Sequence, residues 1–280
     1  RWVFWATSIV AAAIQLLGFF FLQETYAPIL LKRRAERLGL DTDTNSASPS
    51  ILSLLSTALV RPFRLLTTQP IVQLIALYMA YLFGMLYLIL ATFPGIWEGV
   101  YGESTGIGGL NYISLGVGIM LGSQIGGRAI DRVYKRLKLR HNDIGQPEFR
   151  IPLMFIGSCL VPIGIFWTGW SVQARVHWIM PNLGIFIFSV GSVICMQCMQ
   201  TYVIDSYTRF AASALAAAVT LRSLAGFGFP LFAPYMYNAL DYGWGNSVLG
   251  FISLAIGVPA PFVFWCFGRR LRAVSQYAAG

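Results

Sequence analysis

The apolar residues of this chain come in blocks of roughly 20, and that block length limits the fold more than any other feature. A helix of such length crosses a hydrocarbon layer about 30 Å thick, where no water can pair with backbone groups and each N–H and C=O must find its partner inside the helix. Seven blocks are expected to span, near residues 2–22, 71–93, 107–126, 152–170, 178–201, 211–232 and 248–267. With 56% hydrophobic and 11% charged residues among 280, the chain holds more apolar surface than one soluble core needs. The expected fold class is therefore all-α integral membrane, with the lipid bilayer as its surroundings.

The formal charge of +9 invites a nucleic-acid partner, but its distribution argues against one. Seventeen of the 20 basic residues lie within 32–64, 128–150, at Arg209 and within 269–272, segments that alternating spans put on one side. Only Arg1 and Arg175 fall on the other side, and Arg222 lies inside a span. The positive-inside rule assigns the basic side to the cytoplasm, which places the N-terminus of this chain outside and its C-terminus inside. Nucleic-acid binding is not expected. A cleavable signal would carry its cations before the apolar stretch, whereas only Arg1 precedes the first block, so this span is expected to be retained. A start at Arg1 instead of Met suggests an excerpt or truncated gene model with helices upstream.

Residues 24–70 form the longest polar interruption. Within it, GLDTDTNSASPS at 39–50 has the composition of a disordered linker, and 51–66 has the spacing of a short helix on the cytoplasmic membrane surface, limited by Pro62. Three regions follow: a first helix at 1–23, a cytoplasmic linker at 24–70, and a six-helix bundle at 71–280.

The segment GGRAIDRVYKRLK, 126–138, joins the third span to a basic loop, 127–150. A carboxylate at a helix end among several cations can hold one packing of two helix bundles and release it when they rock. It can also be a plain topogenic charge cluster. Its DRVY also fits a seven-helix G-protein-coupled receptor, yet span six reads RSLAGFGFPLF and span seven GVPAPFVFW, without the C-W-x-P and N-P-x-x-Y of such receptors.

Gly127, Asp131, Arg132, Lys135 and Arg136 resemble the G-x-x-x-D-R-x-x-[RK]-[RK] loop of the major facilitator superfamily, with Tyr134 standing where the stronger motif has Gly. RWVFW at 1–5, FLQETYAPILL at 21–31, LYMAYLFGMLYLILATFPGIW from Leu77, GIGGLNYISLGVG from Gly106, TYVIDSY from Thr201, AASALAAAVTLRSLAGFGFPLF from Ala211 and GRRLR from Gly268 are similar to the sixth to twelfth helices of its fungal multidrug-type drug:proton antiporters. Ala218 departs from the Asn common in those proteins. The resemblance implies a partial major facilitator fold, namely the last helix of an N-terminal bundle, the linker, and the C-terminal bundle. It also implies a transporter fragment, without enzymatic activity, for small organic molecules or drugs, working by alternating access with proton-coupled export in the plasma membrane. The N-terminal bundle would be missing from this chain, and a truncated, non-transporting membrane protein is the other reading. In such a protein the five loop residues would form the gate.

Arg222 lies near the middle of its span, where an unpaired ionisable group costs at least ~2.5 kcal/mol. It is either a substrate or coupling residue or an interhelical hydrogen-bonder. Tyr78 with Tyr81, and Gln197 with Gln200, share helix faces and are candidates to line a cavity for amphipathic substrates. Asp205 is expected to pair with Arg209. Gly118, Gly122 and Gly126 read as a packing face, and Gly226, Gly228, Pro230 and Pro234 as a loosened outer end of span six. Cys195 and Cys198 have C-x-x-C spacing, but with His141 and His177 far away no metal or cofactor is expected. No phosphate loop, nucleophile elbow or carboxylate pair supports chemistry on a covalent bond.

Overall fold

The computed structural model describes residues 2–23, 25, 27–39, 51–208 and 210–275. Among them every regular element is helical. The chain divides into two units, Arg1–Leu55 and Ser56–Gly280, a division that falls within the stretch read as the linker. The residues expected to be disordered, 40–50, lie outside the described ones.

The first unit contains α1 (Trp2–Phe21), apolar along its whole length, and the basic α2 (Ala27–Arg37). α3 (Ile51–Thr68) runs from the first unit into the second. It does not stop at Pro62 as expected but runs on to Thr68, with Pro62 and Leu65 buried and the Thr67 and Thr68 hydroxyls donating to carbonyls of the last turn.

The second unit contains α4 (Pro70–Pro94), the short α5 (Thr105–Leu110), α6 (Tyr112–Arg140), α7 (Pro152–Gln173), α8 (Ile179–Ser206), α9 (Ala211–Ile252) and α10 (Pro259–Ala273). Six helical stretches among the described residues are long and apolar enough to cross a membrane, and the last of them, Ala211–Ala273, is 63 residues long. Asp241 splits it, with φ 55° and ψ 178°. On either side of this residue the chain runs back on itself. Tyr237 stacks on Tyr242 with ring centroids 5.0 Å apart, and its hydroxyl donates to Asn246 Oδ1 at 2.9 Å. Each arm is long enough to cross, which makes six candidate spans among the described residues of the second unit.

Hydrogen bonds at the two ends fix the order of the helices. At one end Asn182 of α8 donates to Asn111 before α6 at 2.6 Å, Asn111 donates to Glu103 at 2.7 Å, and Trp170 of α7 donates to Ser247 of α9 at 3.1 Å. The opposite end holds the basic residues and the ion pairs described below. Between the ends, α7 and α8 are almost apolar all round, so no hydrophobic stripe orients them. Close approach does instead. A methyl on Gly157 would lie 2.9 Å from Gly191 O, and one on Gly184 would lie 3.0 Å from Gly164 O, an antiparallel register repeated seven residues apart. The Gly118, Gly122 and Gly126 face packs on α8, where added methyls would meet Phe186 O, Val190 O and Ile194.

Two π-helical turns interrupt the bundle, Gly95–Val100 after Pro94 and Ser253–Gly257 before Pro259. Tyr81 donates to the Ser253 hydroxyl at the second one. In contrast, α9 continues as helix through Pro230 and Pro234, without the loosening expected there.

The stretch expected to be a basic loop, 127–150, is mostly helix. Nothing from Arg128 to Arg140 breaks a helix, so α6 continues past its apolar part until Asn142 and Asp143 take left-handed φ values of 53° and 64°. Gly127, Asp131, Arg132, Tyr134, Lys135 and Arg136 therefore stand on helix. Asp131 is nine residues from its end, too far for the terminal dipole to act on it.

Candidate functional site

The basic end of the second unit carries a network centred on Arg150, the last residue of the 3-10 turn Pro147–Arg150 that leads into α7. Its Nη1 donates to Asp131 Oδ1 of α6 at 2.6 Å and its Nε to Asp205 Oδ2 of α8 at 2.8 Å. The guanidinium carbon lies 4.2 Å from the centroid of the Tyr134 ring. One side chain thus ties three helices, two through carboxylates and one through its own turn. Desolvation acts against the Arg150 charge, but hydrogen bonds and charge from Asp205 and Asp131 outweigh it and raise its pKa above the ordinary arginine value. Asp205 is therefore engaged by Arg150, while Arg209, its expected partner, lies outside the described residues.

A second pair lies beside it. Arg272 near the end of α10 holds Glu148 in a fork, with Nη2 2.8 and 2.9 Å from the two carboxylate oxygens and Nε 3.1 Å from Oε1. The two pairs differ in exposure. The Asp131 side chain is 65% exposed, whereas Arg272 and Glu148 are 11% and 8% exposed. An exposed pair contributes about 0–1 kcal/mol, while removing one partner of a buried pair costs several. The Asp131 link is the more exposed and weaker one, and Glu148–Arg272 joins α10 to the turn before α7. Gly268 permits that anchor, since a methyl there would lie 2.8 Å from the Tyr202 hydroxyl and 3.2 Å from Glu148 Oε1.

Of the loop residues singled out from the sequence, Gly127 is half-buried near Gln197, and Asp131 enters the network. Arg132, Lys135 and Arg136 are exposed and make no ion pair among the described residues. Sequence reading missed Arg150, Glu148 and Arg272 as partners. For Glu148 and Arg150 the available signal was the E-x-R one residue ahead of the helix-starting Pro152.

Deeper in the bundle, Arg222 of α9 places its guanidinium carbon 4.4 Å from the centroid of the Phe83 ring of α4. Phe83 in turn sits 4.7 Å from Tyr87, and Gly226 makes room for both rings, a methyl there lying 3.1 Å from Phe83 and 3.5 Å from Tyr87. A cation–π contact contributes about 0.5–2 kcal/mol, short of what an arginine costs in hydrocarbon. The other cavity candidates have separate neighbours. Tyr78 and Tyr81 are buried, their rings 6.0 Å apart, the first beside Cys195 and the second bonded to Ser253. Gln197 donates to Ser123 Oγ at 3.1 Å and joins α8 to α6, and Gln200 is half-buried. No group of three His, Cys, Asp or Glu among the described residues could hold a metal.

The profile of the Major Facilitator Superfamily matches residues 1–230. The efflux pump vrtL of Penicillium aethiopicum is 53% identical over all of this chain and 56% of its own length. An uncharacterized transporter of Schizosaccharomyces pombe is 43% identical over 99% of the chain and 58% of its own length, and the probable efflux pump mfs2 of Aspergillus flavus is 39% identical over 99% and 67%. The chain spans about half the length of the first two relatives. No solved structure matches it. With its spans, its Asp131 motif and these matches taken together, the chain is a multi-pass integral membrane protein and belongs to the major facilitator superfamily.

Proposed function

We propose that this chain supplies the C-terminal bundle, and the helix before it, of a transporter that exports small organic molecules by alternating access coupled to proton entry. The superfamily match and the names of the efflux-pump relatives support the reading. In it, residues 1–23 close an N-terminal bundle, 24–70 link the two, and the basic end faces the cytoplasm of the plasma membrane, with the first residue outside and the last inside. The receptor reading of DRVY falls away with family membership.

The observation that carries the mechanism is the three-helix tie at Arg150. Closing the cytoplasmic side requires the basic ends of the two bundles to come together, and opening it requires one contact to yield. The exposed Asp131 link yields, while Glu148–Arg272 keeps the C-terminal bundle rigid. Gly127 and the exposed Arg132, Lys135 and Arg136 complete the gate toward the partner bundle. Arg222, with Tyr78, Tyr81, Gln197 and Gln200 on the helices around it, belongs to the substrate or coupling path.

The test is Asp131→Asn in the full-length transporter reconstituted in vesicles. Efflux of a fluorescent substrate should fall about tenfold while thermal unfolding of the protein is unchanged, as expected for a weak exposed pair. Unchanged efflux would sink the gate assignment.

A further inference from the structure

Arg222 has no counter-ion among the described residues. Its Nε is buried with no hydrogen-bond partner, and its closest recorded contact is an aromatic face. A contact to an aromatic ring gives no N–H donor an oxygen acceptor, so the donors of the Arg222 fork stay available. An aromatic pair lies at the guanidinium. Phe83 and Tyr87 have ring centroids 4.7 Å apart and planes inclined at 42°, Gly226 of α9 packs closely on both rings, and Tyr87 is still 42% exposed.

We propose that Arg222, Phe83 and Tyr87 form the recognition site for a planar organic anion, such as an aromatic carboxylate. The fork of Arg222 takes the two oxygens of the anion, and the rings take its apolar body. A cationic amphiphile would place a second positive charge beside an arginine that already lacks compensation, and a neutral one would leave the arginine uncompensated. The site thus discriminates by charge. This inference rests on the assignment of Arg222 to the substrate path and adds the chemical class of substrate.

The experiment uses the full 280-residue chain in phosphatidylcholine nanodiscs and two fluorescent probes with the same aromatic body, pyrenebutyrate and a pyrenebutyl-trimethylammonium. The carboxylate should bind at least tenfold more tightly than the ammonium. Arg222→Gln should remove that preference by weakening the carboxylate alone, and Phe83→Leu should weaken the carboxylate severalfold. If Arg222→Gln fails to fold, as thermal unfolding would reveal, Arg222→Lys keeps the charge without the fork and should retain part of the preference. Equal binding of the two probes to the unmodified chain, or a preference that survives Arg222→Gln, would overturn the proposal and leave Arg222 as a packing contact of Phe83. Failure of the transport reading is seen separately. Vesicles of the full-length transporter that move neither probe, while the chain still binds by charge, would sink transport and leave this site standing.

Discussion

Gly157 and Gly191 oppose each other so closely that a methyl on either would press on the other's carbonyl oxygen, at 2.9 and 2.8 Å. Both obstacles are backbone, which cannot rotate aside. In lipid, where helices gain nothing from hiding apolar surface, this approach is what holds α7 to α8.

Gly191→Ala should therefore destabilise the bundle by about 1–3 kcal/mol, the range for overpacking a close contact. Gly228→Ala, with nothing within 4 Å of the added methyl, should not. Thermal unfolding of both variants in detergent would check the contrast.

Removing Arg272 leaves the Glu148 carboxylate buried and alone. Arg272→Met should cost about 3–5 kcal/mol, and the double variant Arg272→Met with Glu148→Leu should recover much of it, because no charge is then left without its partner. Denaturant unfolding of the single and double variants measures the coupling.

Arg150 donates to two carboxylates while covering the Tyr134 ring, a task that needs a planar fork. In the full-length transporter, Arg150→Lys should slow efflux about fivefold, corresponding to roughly 1 kcal/mol for a lost exposed link. A lysine variant with unaltered efflux would show that charge alone suffices.

Asp241 occupies φ 55° with ψ 178°, a region that suits glycine. Asp241→Gly should raise stability by about 1 kcal/mol or more, seen as a higher unfolding temperature.

This chain spans about half the length of its relatives vrtL and the Schizosaccharomyces pombe transporter, and a substrate path between two bundles needs both. Vesicles holding only these residues should not accumulate a dye against its gradient. Accumulation would overturn the proposed mechanism.

The spans were readable in the sequence because block length is a one-dimensional signal. Their ends were less so. Apolarity falls at Gly126, but α6 continues to Arg140, since charged residues that leave the bilayer are still good helix formers. The Asp131 motif was visible as a pattern, whereas its partner Arg150, 19 residues later, depends on how α6 and α7 meet. Glu148 and Arg272 are 124 positions apart, and no local spacing marks them as a pair. Tyr78 and Tyr81 show the converse problem, because a shared helix face does not say whether it looks into a cavity or into the core, and here both are buried.

The reversal at Asp241 also bears on how the chain enters the bilayer. From Ser223 to Gly268 it is the one charged side chain, and it sits at the tip between two long apolar arms. A hairpin of this kind can be inserted as a single event, with one carboxylate as the only charge carried across, whereas a long polar connection would have to be drawn through the membrane residue by residue. The narrowness of this turn thus serves biogenesis as much as architecture.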